Sequence, residues 1–379
     1  MPGEPYRLMG SVAAAGRIRF LAMSDRPTAL LCTSNGVGLG HLSRAMAIGS
    51  QMRESLEPVI FTLSAAVSIP VAEGFRTEYL RSYDYSALGQ RDWNLLLEQR
   101  IEHLIDIYHP SVLVYDGTHP YAGMCRALDR HPEIHRAWLR RGMWKVGRGE
   151  VAMTRVRHFD EVLEPGDYAV AYDQGLTASV SEGVTRFSPI RYGSSPMARD
   201  EARAVLGLDP DRPLALIQLG AGAINDVGSL VRSVVGQLID AGIGVVVAAS
   251  VLSRAPEIDV PGVAVVQRYP ISDCFGAFDL GFFAGGYNSF HEALSLGLPS
   301  VFAPNLATRM DDQSARTRYA HDHGLSLDWA DNEQDSLAAL TDRIIDADFR
   351  AELRAAMGGL PPASGGAEVA AHLIERHAG

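Results

Sequence analysis

The chain has 379 residues, a length that predicts two domains, and its 47% hydrophobic content is enough to bury a sizeable core. Its formal net charge of -11 argues against nucleic acid as the main partner, because proteins that bind the nucleic-acid backbone usually carry an excess of lysine and arginine. Three widely separated cysteines without CxxC spacing predict neither a zinc site nor a disulfide framework, and no apolar run reaches the roughly 18 residues that a spanning helix needs.

Short apolar runs alternate with helix-like segments through the first half of the chain. Residues 1–26 are expected to be a loosely ordered extension, with a stray strand at 16–24 and no convincing signal peptide. A helix is predicted at 41–54 from apolar residues at three- and four-residue steps, and another precedes residue 110. Strands are predicted at 28–34, 57–64, 110–117, 135–142 and 167–173.

The alternation restarts after a turn-rich passage at 186–213. Five more apolar runs are predicted to be strands, at 214–222, 242–250, 262–270, 280–286 and 299–305. Strands that alternate with helices indicate parallel sheets, so the predicted fold is α/β, with two doubly wound Rossmann-like domains that meet near residue 190 and face each other across a cleft. Ligands of such sheets bind beyond the carboxyl ends of the strands, where the side chains of interest should lie.

The segment after the first strand carries alternating glycines, Gly36, Gly38 and Gly40, and then His41. One interpretation is a dinucleotide site, but the spacing differs from G-x-G-x-x-G and the second strand ends without an acidic residue. A second is a simple glycine turn with a surface histidine. A third pairs His41 with Asp116, at the end of another strand, as a general base and the group that orients it. Asp116 is equally compatible with an ordinary Asp-Gly turn.

The segment 282–305 has the most specific pattern in the chain, a strand that ends in two glycines followed by a helix expected to begin near 288–289. Ser289 and Glu292 fit a capping box, S-x-x-E, which would be purely structural. They also fit a helix N-terminus that binds a diphosphate, with Glu292 accepting hydrogen bonds from a ribose diol. A second glycine turn at 217–226 offers further amides for phosphate.

Five segments in order resemble glycosyltransferases of the B fold, among them the N-acetylglucosaminyl transferases that make lipid II and the natural-product glycosyltransferases. The segments are SNGVGLGHLSRAMAIG (34–49), FSPIR (187–191), GAGAIND (220–226), AGGYNSFHEALSLGLPSVFAP (284–304) and MDDQSARTRYA (310–320). The glycine turn departs from the lipid II pattern, which has a threonine and paired glycines there.

The resemblance implies a function and a set of domains. The enzyme would be an inverting, metal-independent transferase that moves a sugar from a nucleotide-diphosphate donor, with UDP favoured over TDP, to an acceptor hydroxyl. No cofactor is expected. Residues 27–190 would bind the acceptor and 191–350 the donor, and 351–379 would hold a helix that crosses back to the first domain. A cytoplasmic location is expected, with peripheral contact at the inner membrane face left open.

The resemblance also implies roles for individual residues. His41 would be the base, with Asp116 behind it. The donor would be bound by Gly38, Gly40, Arg191, Gly220, Gly222, Gly286, Asn288 and Ser289 near the diphosphate, Glu292 at the ribose, Tyr269 and Ile271 at the base, and Asp312 and Gln313 at the sugar.

The segment 138–148 combines basic and apolar side chains. One interpretation is that Arg140, Arg141 and Trp144 contact an anionic lipid surface or a phosphorylated acceptor. The other, which the pattern favours, is a solvated basic loop whose tryptophans pack inward. The only Asp-x-Asp considered as a metal motif, at 209–211, is interpreted as a turn.

Two other functions share this architecture. A UDP-sugar 2-epimerase would convert donor alone, whereas a transferase needs an acceptor. A degenerate transferase would only bind sugar nucleotide.

Overall fold

The computed structural model describes residues 26–34, 39–180, 182–219, 227–252, 262–330 and 334–378. Within these ranges the chain forms two parallel sheets, one of seven strands and one of six, which confirms the prediction of two doubly wound α/β units. The first sheet contains β1 (Thr28–Thr33), β2 (Glu57–Thr62), β3 (Arg76–Tyr79), β4 (Pro110–Asp116), β5 (His135–Leu139), β6 (Glu161–Glu164) and β7 (Val184–Arg186). The second contains β8 (Leu214–Gln218), β9 (Gly244–Ala248), β10 (Val263–Val266), β11 (Leu280–Ala284), β12 (Ser300–Ala303) and β13 (Leu327–Asp328).

The two sheets have the same strand order. The first runs β3-β2-β1-β4-β5-β6-β7 and the second β10-β9-β8-β11-β12-β13. In each, the direction of winding reverses between the first strand and the fourth, β1 and β4 in one sheet and β8 and β11 in the other. These switch points are where such sheets form a ligand crevice.

Helices cover both faces of the sheets because the strands are apolar on both sides. The helices are α1 (Gly40–Met52), α2 (Ser68–Ala72), α3 (Gln90–Tyr108), α4 (Ala122–Asp129), α5 (Glu150–Met153), α6 (Leu176–Ser179), α7 (Arg199–Leu206), α8 (Val227–Asp240), α9 (Tyr287–Ser295), α10 (Gln313–Asp322), α11 (Gln334–Ile345), α12 (Ala347–Met357) and α13 (Gly365–Ala378). None of those in the described ranges is long and apolar enough to cross a bilayer.

One strand prediction is wrong. The apolar segment 167–173 forms a 3₁₀ turn at Val170–Tyr172. The Asp167 carboxylate accepts a hydrogen bond from the Ala169 N–H at 3.0 Å, and Tyr168 and Ala169 pack into the core of the second sheet. The segment is apolar because Tyr168 and Ala169 are core residues, not because it forms a strand. The strands β3, β6, β7 and β13 were not predicted, and the stray strand at 16–24 lies outside the described residues.

The C-terminal helix packs on the first sheet's side of the molecule. Val369, Ala370 and Leu373 of α13 share a buried cluster with Leu42 and Met46 of α1. The linker before the second sheet runs beside it, where Ser188 N–H donates to Glu368 Oε2 at 2.8 Å. The C-terminal helix is thereby joined to the segment near residue 190 where the chain passes from the first domain to the second.

Candidate active site

The predicted catalytic pair lies at the switch point of the first sheet. Asp116 is the last residue of β4, next to Thr33 of β1 in the sheet register, and His41 is the second residue of the helix that follows β1. His41 Nδ1 lies 2.7 Å from Asp116 Oδ1. With the Nδ1 proton assigned toward the carboxylate, Nε2 is left as the proton acceptor, which is the arrangement that a general base requires.

The surroundings of His41 keep its imidazole neutral. Burial is the largest influence and lowers the pKa of His41; the Asp116 carboxylate opposes this, and the guanidinium groups of Arg44 and Arg141 lower the pKa further. The net direction is downward from the ordinary value of 6.5. A neutral imidazole at pH 7 can accept a proton, so the electrostatics agree with the geometry.

Arg44 completes this cluster and was missed by sequence reasoning. Its Nε donates to Asp116 Oδ2 at 2.9 Å and its Nη2 to Oδ1 at 2.7 Å, with the residue only 1% exposed. Burial alone would raise the pKa of Asp116, but the charge of Arg44 followed by that of His41 brings it below its ordinary value. The only signal in the sequence was the three-residue spacing from His41, which puts both side chains on one face of α1.

The N-terminus of α9 lies opposite this cluster, on the second domain. The helix begins at Tyr287, and its N-cap, Gly286, makes no side-chain hydrogen bond. Ser289 is therefore inside the first turn, and the capping-box interpretation of Ser289 and Glu292 is wrong. The distance across the cleft is short, because a Cβ added at Gly40 would lie 3.7 Å from Asn288 Oδ1.

Two acceptors on the second domain lack donors among the described residues. Asn288 Oδ1 is buried without a hydrogen-bond partner. Glu292 is half-buried, and burial, with a smaller contribution from Asp273, raises its pKa to about 7 although Arg191 opposes the shift. A buried acceptor such as Asn288 Oδ1 costs free energy unless a ligand supplies the missing hydrogen bond. This wall of the cleft therefore suits a ligand that presents donors to both residues.

A cavity of about 500 Å³ lies between the domains beside Arg191 and Asp273. Nearby, Tyr269 Oη lies 2.5 Å from Ser43 Oγ of α1, so this residue bridges the cleft, while Ile271 is buried in the core of the second domain. The cavity is lined by Ala47, Ser50, Gln51, Glu73, Arg191, Tyr192, Gly193, Ser194, Pro270, Asp273, Ala363, Ser364, Gly366 and Ala367.

A buried ionic network joins the two domains around the ring of Tyr287. Arg316 donates from Nε to Asp167 Oδ2 at 2.9 Å and from Nη2 to Asp311 Oδ1 at 3.1 Å. Tyr287 accepts the N–H of Ile190 and donates to Gly166 O, each at 2.9 Å. None of these roles was predicted, because the partners come from separate segments of the chain.

The side chains of Asp312 and Gln313 are used within the protein. Asp312 caps α10 by accepting from Ala315 N–H at 3.0 Å. Gln313 Oε1 accepts from Asn305 N–H at 2.9 Å, and its Nε2 donates to Asp311 at 3.2 Å. In this conformation both hold the 305–313 loop in place, which is a different task from the sugar contact that the resemblance implies.

The interpretation of 138–148 as a surface patch needs correction. Arg140 is fully buried and donates to Glu164 Oε2 at 2.9 Å, and Trp144 is 1% exposed in the first domain's core. Neither can reach a lipid surface, since both side chains are buried inside the first domain. Arg141 differs: it lies in the cleft, with Asp311 at 3.5 Å as its ion-pair partner among the described residues and with a buried Nε that has no acceptor.

The remaining predicted positions are partly outside the described structure. Gly38, Gly220 and Gly222 lie outside the described residues. Arg191 is half-buried and donates to Ser194 O at 2.8 Å. The Asp-x-Asp at 209–211 is a turn before β8, in which Asp209 accepts from the N–H of Asp211 at 2.9 Å.

Comparison with known proteins gives relatives of one kind. The chain is 30% identical over 192 residues, 47% of its length, to a UDP-N-acetylglucosamine--N-acetylmuramyl-(pentapeptide) pyrophosphoryl-undecaprenol N-acetylglucosamine transferase of a Nocardioides species, of which it covers 51%. It spans about half the length of the curated relatives it matches. No family model matches the chain.

Solved structures match almost the whole chain. The spinosyn forosaminyltransferase SpnP superposes with a TM-score of 0.65 at 14% identity, over 93% of this chain and 100% of that protein. MurG of Acinetobacter baumannii superposes with a TM-score of 0.59 at 15% identity, over 92% of this chain and 100% of that protein. The chain therefore has the two-domain GT-B fold of these glycosyltransferases.

Proposed function

We propose that this protein is an inverting, metal-independent glycosyltransferase that moves a sugar from a nucleotide-diphosphate donor to an acceptor hydroxyl, with His41 as general base. One observation carries the proposal: the His41–Asp116 pair, at 2.7 Å, faces the uncapped N-terminus of α9 across a narrow cleft. A base on one wall and an anion site on the other match the two charges that develop when a hydroxyl displaces a diphosphate.

The second domain supplies the features of a donor site. The first amides of α9 would bind the diphosphate, since a helix N-terminus offers unpaired N–H groups and a positive dipole. Glu292 would accept hydrogen bonds from the ribose diol, and Arg191 lies close enough to affect its pKa. The nucleoside would extend toward the cavity beside Arg191 and Asp273. UDP is favoured because the relatives matched in sequence are named as UDP-N-acetylglucosamine transferases.

The chemical step follows from this placement. The acceptor oxygen attacks the anomeric carbon while His41 Nε2 takes its proton, and the bond from that carbon to the diphosphate oxygen breaks. The electron pair leaves with the nucleoside diphosphate, whose charge the amides and dipole of α9 stabilise without a metal ion. A single displacement inverts the anomeric centre. Asp116 stabilises the imidazolium that forms, through its bond to Nδ1.

The acceptor would bind on the first domain beside Arg141. This guanidinium is close enough to lower the pKa of His41, and its buried Nε has no acceptor in the part of the chain that the structure describes. An acceptor with a phosphate or carboxylate near the reacting hydroxyl would supply one, since a guanidinium binds such groups through paired N–H donors. The relatives named above act on a pyrophosphoryl-undecaprenol acceptor, which is consistent with this chemistry.

The test is to incubate the protein with a panel of UDP- and TDP-sugars in EDTA, with and without phosphorylated and neutral acceptors, and to measure nucleoside diphosphate and sugar products. We expect diphosphate release only with an acceptor, and a product of inverted anomeric configuration. Conversion of donor alone would identify a 2-epimerase. Binding of donor without turnover by any pair would identify a sugar-nucleotide-binding protein, and either result would refute the proposal.

A further inference from the structure

The cluster at the first switch point contains a third residue that the proposed reaction does not yet use. Arg44 lies three residues after His41 on α1, is 1% exposed, and holds both oxygens of Asp116, at 2.9 and 2.7 Å. Its Nη2 is also 2.8 Å from His41 Nδ1. Both nitrogens carry protons in the tautomer assigned above, so this is a close contact of the charged guanidinium with the ring and not a hydrogen bond. The guanidinium of Arg44 therefore contacts both His41 and Asp116.

We propose that Arg44 is a positioning residue that fixes the Asp116 carboxylate in the orientation in which Oδ1 faces His41, and that keeps His41 in its neutral, proton-accepting form. The inference rests on the proposed function, because it concerns how the general base is prepared. Arg44 acts through Asp116 and His41 and is not placed in contact with substrate.

The orientation follows from the fork geometry of the guanidinium. A carboxylate held by a single partner can rotate about its χ2 torsion, whereas the bidentate pair with Arg44 allows one plane. In that plane Oδ1 accepts from both Arg44 and His41, so the imidazole is held with Nδ1 toward the carboxylate and Nε2 directed away from it.

The charge of Arg44 adds to the effect of burial on the protonation state of His41. Asp116 alone would draw a second proton onto the imidazole, since a neighbouring carboxylate favours the charged form of histidine. Arg44 opposes this because Nη2 of its positively charged guanidinium lies 2.8 Å from Nδ1. Among the residues that the structure describes, Arg141, from the loop after β5, also lowers the pKa of His41, in the same direction as Arg44. The cluster thus consists of the Arg44–Asp116 ion pair and a neutral His41.

The second domain covers Arg44 from the other side. Its guanidinium carbon lies 5.2 Å from the centre of the Tyr287 ring, the first residue of the donor helix α9. A ring face over a guanidinium is attractive and excludes water from the ion pair. The cluster of His41, Asp116 and Arg44 is therefore shielded from water by the same helix that would bind the donor.

The test uses Arg44→Gln, which removes the charge, and Arg44→Lys, which keeps the charge but not the fork. The proton uptake of His41 is followed by NMR in protein labelled with ¹³C-histidine, the His41 signal being assigned by its loss in His41→Gln. We expect Arg44→Gln to move the His41 titration to higher pH, and Arg44→Lys to leave it close to that of the parent protein.

Activity provides the second readout. In Arg44→Gln, kcat/KM should fall roughly 10-fold or more at pH 6 and less at pH 8.5, because more of His41 is protonated at low pH. In Arg44→Lys the acid limb should stay in place, while kcat falls at every pH because the carboxylate is no longer held in one plane. The KM for donor should not change in either variant.

Arg203→Gln is the matched control. Arg203 is equally buried, at 1% exposure, but it lies in the second domain, where its Nε donates to Ala277 O at 3.0 Å. It should lose stability without any change in the His41 titration. An unchanged His41 titration in folded Arg44→Gln would overturn the inference; if that variant does not fold, unchanged kcat in Arg44→Lys would do so. Failure of the proposed function is a separate result, absence of sugar transfer by the parent protein, and the NMR titration does not depend on it.

Discussion

The two walls of the cleft differ in how completely their polar groups are satisfied. On the first domain, both oxygens of Asp116 have donors within 2.9 Å, from His41 and Arg44. On the second domain, Asn288 Oδ1 is buried without a partner and Glu292 has a raised pKa with no donor among the described residues. In the proposed mechanism this difference would leave the base preorganised for proton transfer, whereas the donor wall would be completed by its ligand.

The largest effect is expected for Asp116→Asn, which removes the carboxylate that His41 and Arg44 both contact on the first domain. The amide cannot balance the buried charge of Arg44, and breaking a buried ion pair costs about 3–5 kcal/mol. It also removes the carboxylate that orients Nδ1 of His41. We expect both a lower free energy of unfolding, measured by urea denaturation, and a loss of turnover. A protein as stable as the parent would contradict the described ion pair.

His41→Ala should affect turnover alone. Loss of a general base lowers kcat by roughly 10²–10⁴, while donor affinity should be kept because the donor lies on the opposite wall. The measurement is kcat beside the dissociation constant for nucleoside diphosphate from calorimetry. His321→Ala, an exposed residue of α10, serves as the control and should behave like the parent. Unchanged kcat in His41→Ala would exclude this residue as the base.

The position of each wall of the cleft could be predicted from the sequence, because each wall follows a local sequence pattern. Apolar runs followed by glycine turns located β1, β4, β8 and β11 and, with them, the positions of His41 and Asp116. The helix after β11 was predicted to within two residues of its start at Tyr287.

What could not be predicted depends on contacts between distant segments. The ion pairs of Arg316 with Asp167 and Asp311 join three separate parts of the chain, and no spacing signals them. Arg140 is likewise buried against Glu164, although the sequence around it has the composition of a basic surface. The strand β13 has two residues, too few for any periodicity.

Glu292→Gln should weaken nucleotide binding and leave the base wall intact. A hydrogen bond to a charged group contributes about 1.5–3 kcal/mol, which corresponds to roughly 10–100-fold in the dissociation constant. The experiment is calorimetric titration with UDP and TDP. Glu201→Gln, exposed on α7, is the control in the same domain. Equal affinity of Glu292→Gln and the parent protein would remove Glu292 from the donor site.

The smallest expected effect is a pH dependence of the ligand-free protein. The pKa of Glu292 is raised from 4.5 to about 7, so the folded state holds this proton more tightly than the unfolded state. The stability contributed by protonation is therefore lost as pH rises from about 4.5 to 7. Glu292→Gln should lack this part of the pH dependence in thermal unfolding. An identical pH dependence in parent and variant would show that Glu292 is ionised in the free protein.

The central claim, a donor on the second domain opposite a base on the first, is tested most directly by a crystal structure with bound nucleoside diphosphate. The diphosphate should contact the first amides of α9 at residues 287–289, the ribose diol should donate to Glu292, and His41 should lie across the cleft from the terminal phosphate. A nucleotide bound on the first domain, or a diphosphate remote from α9, would contradict the account.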